Sequence, residues 1–237
     1  RPAALRTHDV LWGPLADVKT ADVTVKARLL PLENETSLTV STTPLPLAHG
    51  LVRSLPEAFW LSSDAALSAA MPWAQLVGAP AAKLPAGDAD ALRRDATARI
   101  QKALDTIEGQ LGWNGLSAWP WGSPSLMATT WALDFVLTLR ENGRDVRPEL
   151  VRRLADAISN ALDGLTPDTL GQARTAAWAL AQLTREGTLE AERIEALRNR
   201  MDARELDWRN DPAALYIAYA YRLMRLTDEA DELQKAA

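Results

Sequence analysis

Apolar and polar positions follow two different periods along the chain. Between residues 23 and 42, Val23, Val25, Ala27 and Leu29 alternate with Thr24, Lys26 and Arg28, and Leu38, Val40 and Thr42 alternate with Thr39 and Ser41. A period of two is that of a half-buried strand, and "PLENE" between the runs supplies turn chemistry, so a short hairpin is predicted, closed by Pro44 and Pro46. A pair of strands that small is not stable alone and has to pack on something. From about residue 62 the period becomes helical. Ser62-Ser63-Asp64 offers N-cap residues for a helix to about Val77, stopped by Gly78 and Pro80. The next opens over 85–88 and carries Leu92, Ala96, Ile100, Ala103, Leu104 and Ile107 on one face. Ser123-Pro124 reads as a cap followed by proline for a third helix, stopped by Asn142-Gly143. Further helices are predicted from Arg147-Pro148 to Gly164, from Thr166-Pro167-Asp168 to Gly187, over 190–203 and 212–226, and onward from Thr227.

Helix starts fall roughly 20–35 residues apart, so hairpins recur about every 45–55 residues, the range of paired-helix repeats. Short connections make neighbours antiparallel, which gives either an open solenoid or a closed α/α toroid. The predicted class is mainly α, with a small N-terminal β-strand segment. The domains are expected to be a strand segment over 1–46 leading into a paired-helix domain over 47–237. The alanine-dense run from Ala176 to Ala181 suits close-packed inner helices.

Composition narrows the chemistry. The 237 residues contain no cysteine and two histidines, His8 and His49, which removes disulfides, thiolate metal sites, cysteine nucleophiles and any His-rich centre. No cofactor, metal site or catalytic residue is expected. The net charge of -5 argues against nucleic acid as a partner. No apolar run is long enough to span a membrane. The chain begins at Arg1, without Met or a signal-like stretch, and so reads as a piece of something longer.

Residues 110–135 are the most unusual segment. Trp113, Trp119, Trp121 and Trp131 crowd around three glycines and two prolines just before a helix. Such a loop can line a binding surface, since tryptophan offers a large rigid contact area. The plainer reading is that the rings plug the junction between two hairpins. Among the carboxylates, Asp134 stands out in an apolar helix, where a buried, paired, structural role is the ordinary one.

The order "RIQKALDTIEGQL", "GWNGLSAWPWG", "SPSLMATTWALDFVLTLRENGRDV" resembles the thioester domain of bacterial alpha-2-macroglobulins. Upstream, "RPAA" and "SLTVSTTPLPLAHGLVRSL" are similar to the β segment leading into that domain. The resemblance implies an α/α toroid. It also implies a periplasmic parent protein, lipid-anchored through an upstream segment, that acts as a protease trap or scaffold. Its partners would be proteases or envelope proteins, such as a penicillin-binding protein or proteins of the same gene cluster.

The family typically carries Tyr-Pro-Tyr-Gly-Cys-x-Glu-Gln, then a Ser and a Pro in the first toroid helix. Matching Ser68 and Pro72 to that Ser and Pro, without gaps, places the motif over "AFWLSSDA". Ser62 then stands at the cysteine position, Ser63 at the variable one, Asp64 at the glutamate and Ala65 at the glutamine. Neither thioester partner is present at those positions, so the resemblance implies a module that binds without covalent capture. The same residues also read as a plain helix N-cap. Because the lost motif and the Gly/Trp loop are neighbours in the family's fold, Phe59, Trp60, Trp113, Trp119 and Trp121 form the expected protein-binding surface. About seven or eight helices are predicted, against roughly a dozen in the family's full ring, so the resemblance implies either an open crescent or another chain or fragment that completes the toroid. The alternative reading is an α/α-toroid glycosidase or polysaccharide lyase acting on an envelope polymer. It needs two cleft carboxylates about 5–9 Å apart near Trp119.

Overall fold

The computed structural model describes residues 62–76 and 89–236. The hairpin predicted over 23–42, the boundary at 46/47, and Phe59 and Trp60 lie outside the described residues. Eight α-helices occur among the described residues: α1 (Ser63–Leu76), α2 (Ala89–Gln110), α3 (Leu126–Glu141), α4 (Pro148–Asp163), α5 (Leu170–Glu186), α6 (Ala191–Ala203), α7 (Pro212–Leu223) and α8 (Thr227–Ala236). Between α2 and α3 runs a two-stranded antiparallel hairpin, β1 (Leu111–Gly112) and β2 (Gly115–Leu116). A short 3-10 turn, Trp208–Asn210, leads into α7.

Consecutive helices pack as pairs, α1 with α2, α3 with α4, α5 with α6 and α7 with α8. The first member of each pair also packs on the first member of the next, giving a row α1–α3–α5–α7 flanked by its partners. Composition explains the division. The row helices are the alanine- and leucine-rich ones: α3 buries every residue from Ala128 to Leu139 except Trp131 and Asp134, and α5 buries Ala173, Ala176, Ala177 and Ala179–Thr184. Small side chains let backbones approach, and a helix touched on most sides must be apolar nearly all round. The flanking helices are amphipathic instead. In α2, Ala96, Ile100, Ala103 and Ile107 are buried, and in α6 only Ile194, Leu197 and Met201. Pairs of helices whose inner members form a continuous row make this an α/α-toroid architecture.

Buried side chains fall into two clusters that meet at α5. One gathers α1 to α4, the hairpin, and Ala179 and Leu183 of α5; the other gathers the rest of α5 with α6, Trp208, α7 and α8. Trp178 of α5 stacks on Tyr216 of α7, with ring centroids 6.2 Å apart.

Three helix ends differ from the sequence reading. The cap of α3 is Ser125, whose side chain accepts from the Ala128 N–H, and not Ser123-Pro124. Pro124 is held extended by a bridge to Ser117, and the Ser125 N–H donates to the Leu116 carbonyl at 2.9 Å, so the chain turns helical only afterwards. The cap of α5 is Thr169, not Thr166-Pro167-Asp168. Its hydroxyl accepts from the Gln172 N–H at 3.3 Å, and the Gln172 side chain accepts from the Asp168 N–H at 3.0 Å, a variant of the capping box. Helix α7 ends at Leu223 rather than Leu226, because Arg225 adopts φ 64°, which no right-handed helix continues through. The segment 112–116, read as loop, is the tight hairpin, turned through Trp113-Asn114.

Candidate functional site

The site is built from the start of α1 and the segment between α2 and α3. Ser62 caps α1, its hydroxyl accepting from the Ala65 N–H at 3.2 Å. Ser63 is fully buried and turned toward the loop. Its N–H donates to the Ala118 carbonyl at 3.0 Å and its hydroxyl to the Ser117 carbonyl at 2.9 Å. Asp64 lies in the first turn with one carboxylate oxygen buried and without a hydrogen-bond partner, and Ala65 is half-buried. The four residues aligned to the lost motif are therefore a capped helix start, with Ser63 sewn into the Gly/Trp loop 54 positions away.

The loop is rigid for stated reasons. Gly115 takes φ 118°, and a Cβ there would come within 2.6 Å of the Thr129 hydroxyl, so glycine is required twice over. That hydroxyl accepts from the Leu116 N–H at 2.9 Å and donates to the Ser125 carbonyl at 2.8 Å, fastening the hairpin to the first turn of α3. Gly122 N–H closes a turn on the Trp119 carbonyl at 2.9 Å, and the Ser117 hydroxyl donates to the Gly122 carbonyl at 2.8 Å. From α4, the Arg153 guanidinium donates to the Leu111 carbonyl at 2.8 Å.

On this frame Trp113 is 85% exposed, Trp121 92% and Trp119 52%. The plainer reading, that these rings plug a helix junction, is corrected for the exposed ones: Trp113 and Trp121 lie in turns and are largely exposed, while Trp131, inside α3, packs against the core. No charged residue occurs from Leu111 to Met127, and Met127 is also exposed. The loop is thus uncharged, carries three exposed tryptophans, and is hydrogen-bonded to the buried start of α1.

The carboxylates of the inner row are engaged elsewhere. Arg185 of α5 donates to Asp134 at 2.6 Å, to both oxygens of Glu141 at 2.7 and 2.5 Å, to Thr138 at 3.0 Å and to Gln182 at 3.1 Å. Burial pushes the Asp134 carboxyl above its ordinary value, outweighing the attraction of Arg185. The better-solvated Glu141 is held below its ordinary value by its hydrogen bonds to Arg185. Asp134 is thus paired, and it shares Arg185 with Glu141. Arg185 was not singled out by sequence reasoning, because nothing local marks a side chain whose partners lie 44 and 51 positions away. Among the described residues no group of His, Asp and Glu side chains could hold a metal ion, and no helix is long and apolar enough to cross a membrane.

This fold defines a paired-helix module of the toroid class with a hydrogen-bonded aromatic loop beside the start of the first described helix. No family model matches the chain. In sequence and in fold it is similar to the bacterial alpha-2-macroglobulins, as residues 99–146 indicated. It is 25% identical over 197 residues to an alpha-2-macroglobulin homolog of Yersinia pestis, a match covering 82% of this chain and 10% of that protein. Among solved structures, Salmonella alpha-2-macroglobulin reacted with methylamine superposes with TM-score 0.65 at 19% identity, over 80% of this chain and 12% of that one. The Escherichia coli protein from its MG7 domain to the C-terminus superposes with TM-score 0.59 at 18% identity, over 79% of this chain and 30% of that one. The chain thus spans about a tenth of the length of the curated relative it matches.

Proposed function

We propose that the chain is a protease-inhibitor-like module of the alpha-2-macroglobulin kind that works in the bacterial periplasm by non-covalent protein binding. The observation that carries this reading is the junction of Ser63 with the Ser117 and Ala118 carbonyls. It ties the residues aligned to the lost thioester motif to the loop that carries the three exposed tryptophans. A thioester needs a cysteine thiol, and the chain has none, so a partner held here is held by surface contact. Rigid aromatic rings on a fixed backbone lose little entropy on binding and are enriched among residues that dominate interface energies. Trp113, Trp119 and Trp121, with Phe59 and Trp60 of the preceding segment, form the proposed docking surface. Proteases are the proposed partners, with envelope proteins such as a penicillin-binding protein or products of the same gene cluster as further ones.

The test is surface plasmon resonance of the immobilised full chain against active-site-blocked serine and metalloproteases. Reversible binding is expected, weakened at least about tenfold in Trp113→Ser/Trp121→Ser, equivalent to about 1.4 kcal/mol. The melting temperature of that variant is expected to match the parent, since both rings are exposed. Absence of binding to every protease, or wild-type affinity in the double variant, contradicts the proposal.

A further inference from the structure

A second feature lies on the other core cluster, where α4, α5 and α6 meet. A depression of about 380 Å³ opens between the end of α4, the α4–α5 link and α6. Its volume is within the range of small-ligand sites. Leu162, Leu165, Leu180 and Leu197 make its apolar wall, and Asp163, Arg193 and Arg200 are the charged groups on it.

The two arginines differ in their engagements. Arg193 donates to Asp163 at 2.6 Å, to Ser159 at 2.9 Å and to Glu190 at 3.4 Å, so it is already engaged with both nearby carboxylates. Arg198, Arg204 and Arg209 are likewise paired, with Glu195, Asp168 and Asp202. Arg200 is partly buried, lines the depression, and pairs with no carboxylate among the described residues. A guanidinium beside a leucine wall suits an anion with an apolar body, and its planar fork matches a carboxylate.

We infer that this depression is a binding site for a carboxylate bearing an apolar group, seated with its anion on Arg200 and its apolar part against Leu162, Leu165, Leu180 and Leu197. That chemistry has two sources, a free aliphatic acid or the C-terminal residue of a polypeptide. The site is separate from the tryptophan surface and independent of what binds there.

Isothermal titration calorimetry on the full chain tests the inference with two pairs of probes. The first is decanoate against decanol; the second is acetyl-Gly-Gly-Leu with a free C-terminus against its amide. Saturable binding of at least one acid below about 1 mM, at least about tenfold tighter than its neutral counterpart, is expected. Preference for decanoate marks the free acid as the source, and preference for the peptide acid marks the polypeptide terminus; both support the site. Arg200→Ala is expected to weaken binding about tenfold or more. Ala196→Trp, at an exposed position on the rim, is expected to block the depression without touching the core. Arg152→Ala, on the exposed surface of α4, is expected to bind as the parent does. No binding of either acid, equal binding of acid and neutral probe, or parental affinity in either Arg200→Ala or Ala196→Trp overturns the inference.

Discussion

Ser63 does at the scale of one residue what a loop usually needs several contacts to do. Its backbone and hydroxyl both reach across from α1 to consecutive carbonyls of the loop, in a fully buried setting. Ser63→Ala keeps the backbone bond, removes the hydroxyl, and leaves the Ser117 carbonyl short of a partner. A loss of about 1–2 kcal/mol is expected, together with faster amide exchange across 115–122, measured by denaturant unfolding and hydrogen exchange. An unchanged exchange pattern would show that Ser63 does not fix the loop.

Arg185 sets a second residue-scale expectation, with opposite signs at its two carboxylates. Glu141 has its folded-state pKa depressed, so its contribution is present above its ordinary value of 4.5 and is lost as pH falls through the lower folded value. Asp134 has its folded-state pKa raised, so stability falls as pH climbs from the ordinary 3.8 through the raised value. Urea titrations across pH 2.5–7 are therefore expected to show a shallower acid-side loss in Glu141→Gln than in the parent, whereas Asp134→Asn removes the opposing slope. Both variants keeping the parental profile would contradict the pairing. The structural role of Asp134 was readable from its apolar flanks, Leu133 and Phe135. Its partner was not, because a tertiary ion pair leaves no periodic trace.

At the scale of elements, caps decide where helices begin, and they were only partly legible. Asn142-Gly143, Arg147-Pro148 and Gly187 stop and start helices where the sequence indicates, since glycine at positive φ and proline in the first turn act locally. Ser123-Pro124 misleads because its backbone is claimed by a bridge to Ser117, a contact that local patterning does not contain. The Thr169 cap was available in the sequence, as a threonine three positions before Gln172. Asp211 shows what such a cap stabilises: it accepts from the Ala213 N–H at 2.9 Å and from Arg174 of α5 at 2.9 and 2.5 Å while nearly buried. Its pKa is held down chiefly by the Arg174 hydrogen bond. Asp211→Ala removes the cap of α7 and its tie to α5, with an expected cost of about 1–3 kcal/mol by thermal or urea unfolding. Asp211→Asn, which keeps the cap, is expected to cost less. Equal losses in the two would assign the effect to the charge alone.

Over the whole molecule, the repeat of helix pairs was legible because period and spacing are local properties summed along the chain. The division into an inner row and flanking helices followed from where alanine and leucine concentrate. What the sequence did not show is that the core separates into two clusters sharing α5, since that depends on which faces meet. Leu133→Ala in the first cluster and Ile217→Ala in the second each remove a fully buried side chain and are expected to cost about 2–5 kcal/mol. Because α5 contributes to both clusters, each variant is expected to melt in one transition by calorimetry; two separated transitions would show that the clusters fold independently. The sequence left the tryptophans open between a binding surface and a plug of the helix junction, and could not decide their exposure by itself. Burial of an aromatic ring is decided by the turn that carries it, and the turns at 113–114 and 120–121 emerge only in the folded backbone.

The central claim is that the face made by the start of α1 and the tryptophan loop is where this module meets its protein partner. Hydrogen exchange on the full chain, with and without a bound active-site-blocked protease, addresses it directly. The account predicts added protection over residues 62–65 and 111–124, with α6 and α8 unchanged. Protection confined to other helices, or no change on adding a protease shown to bind, would contradict it.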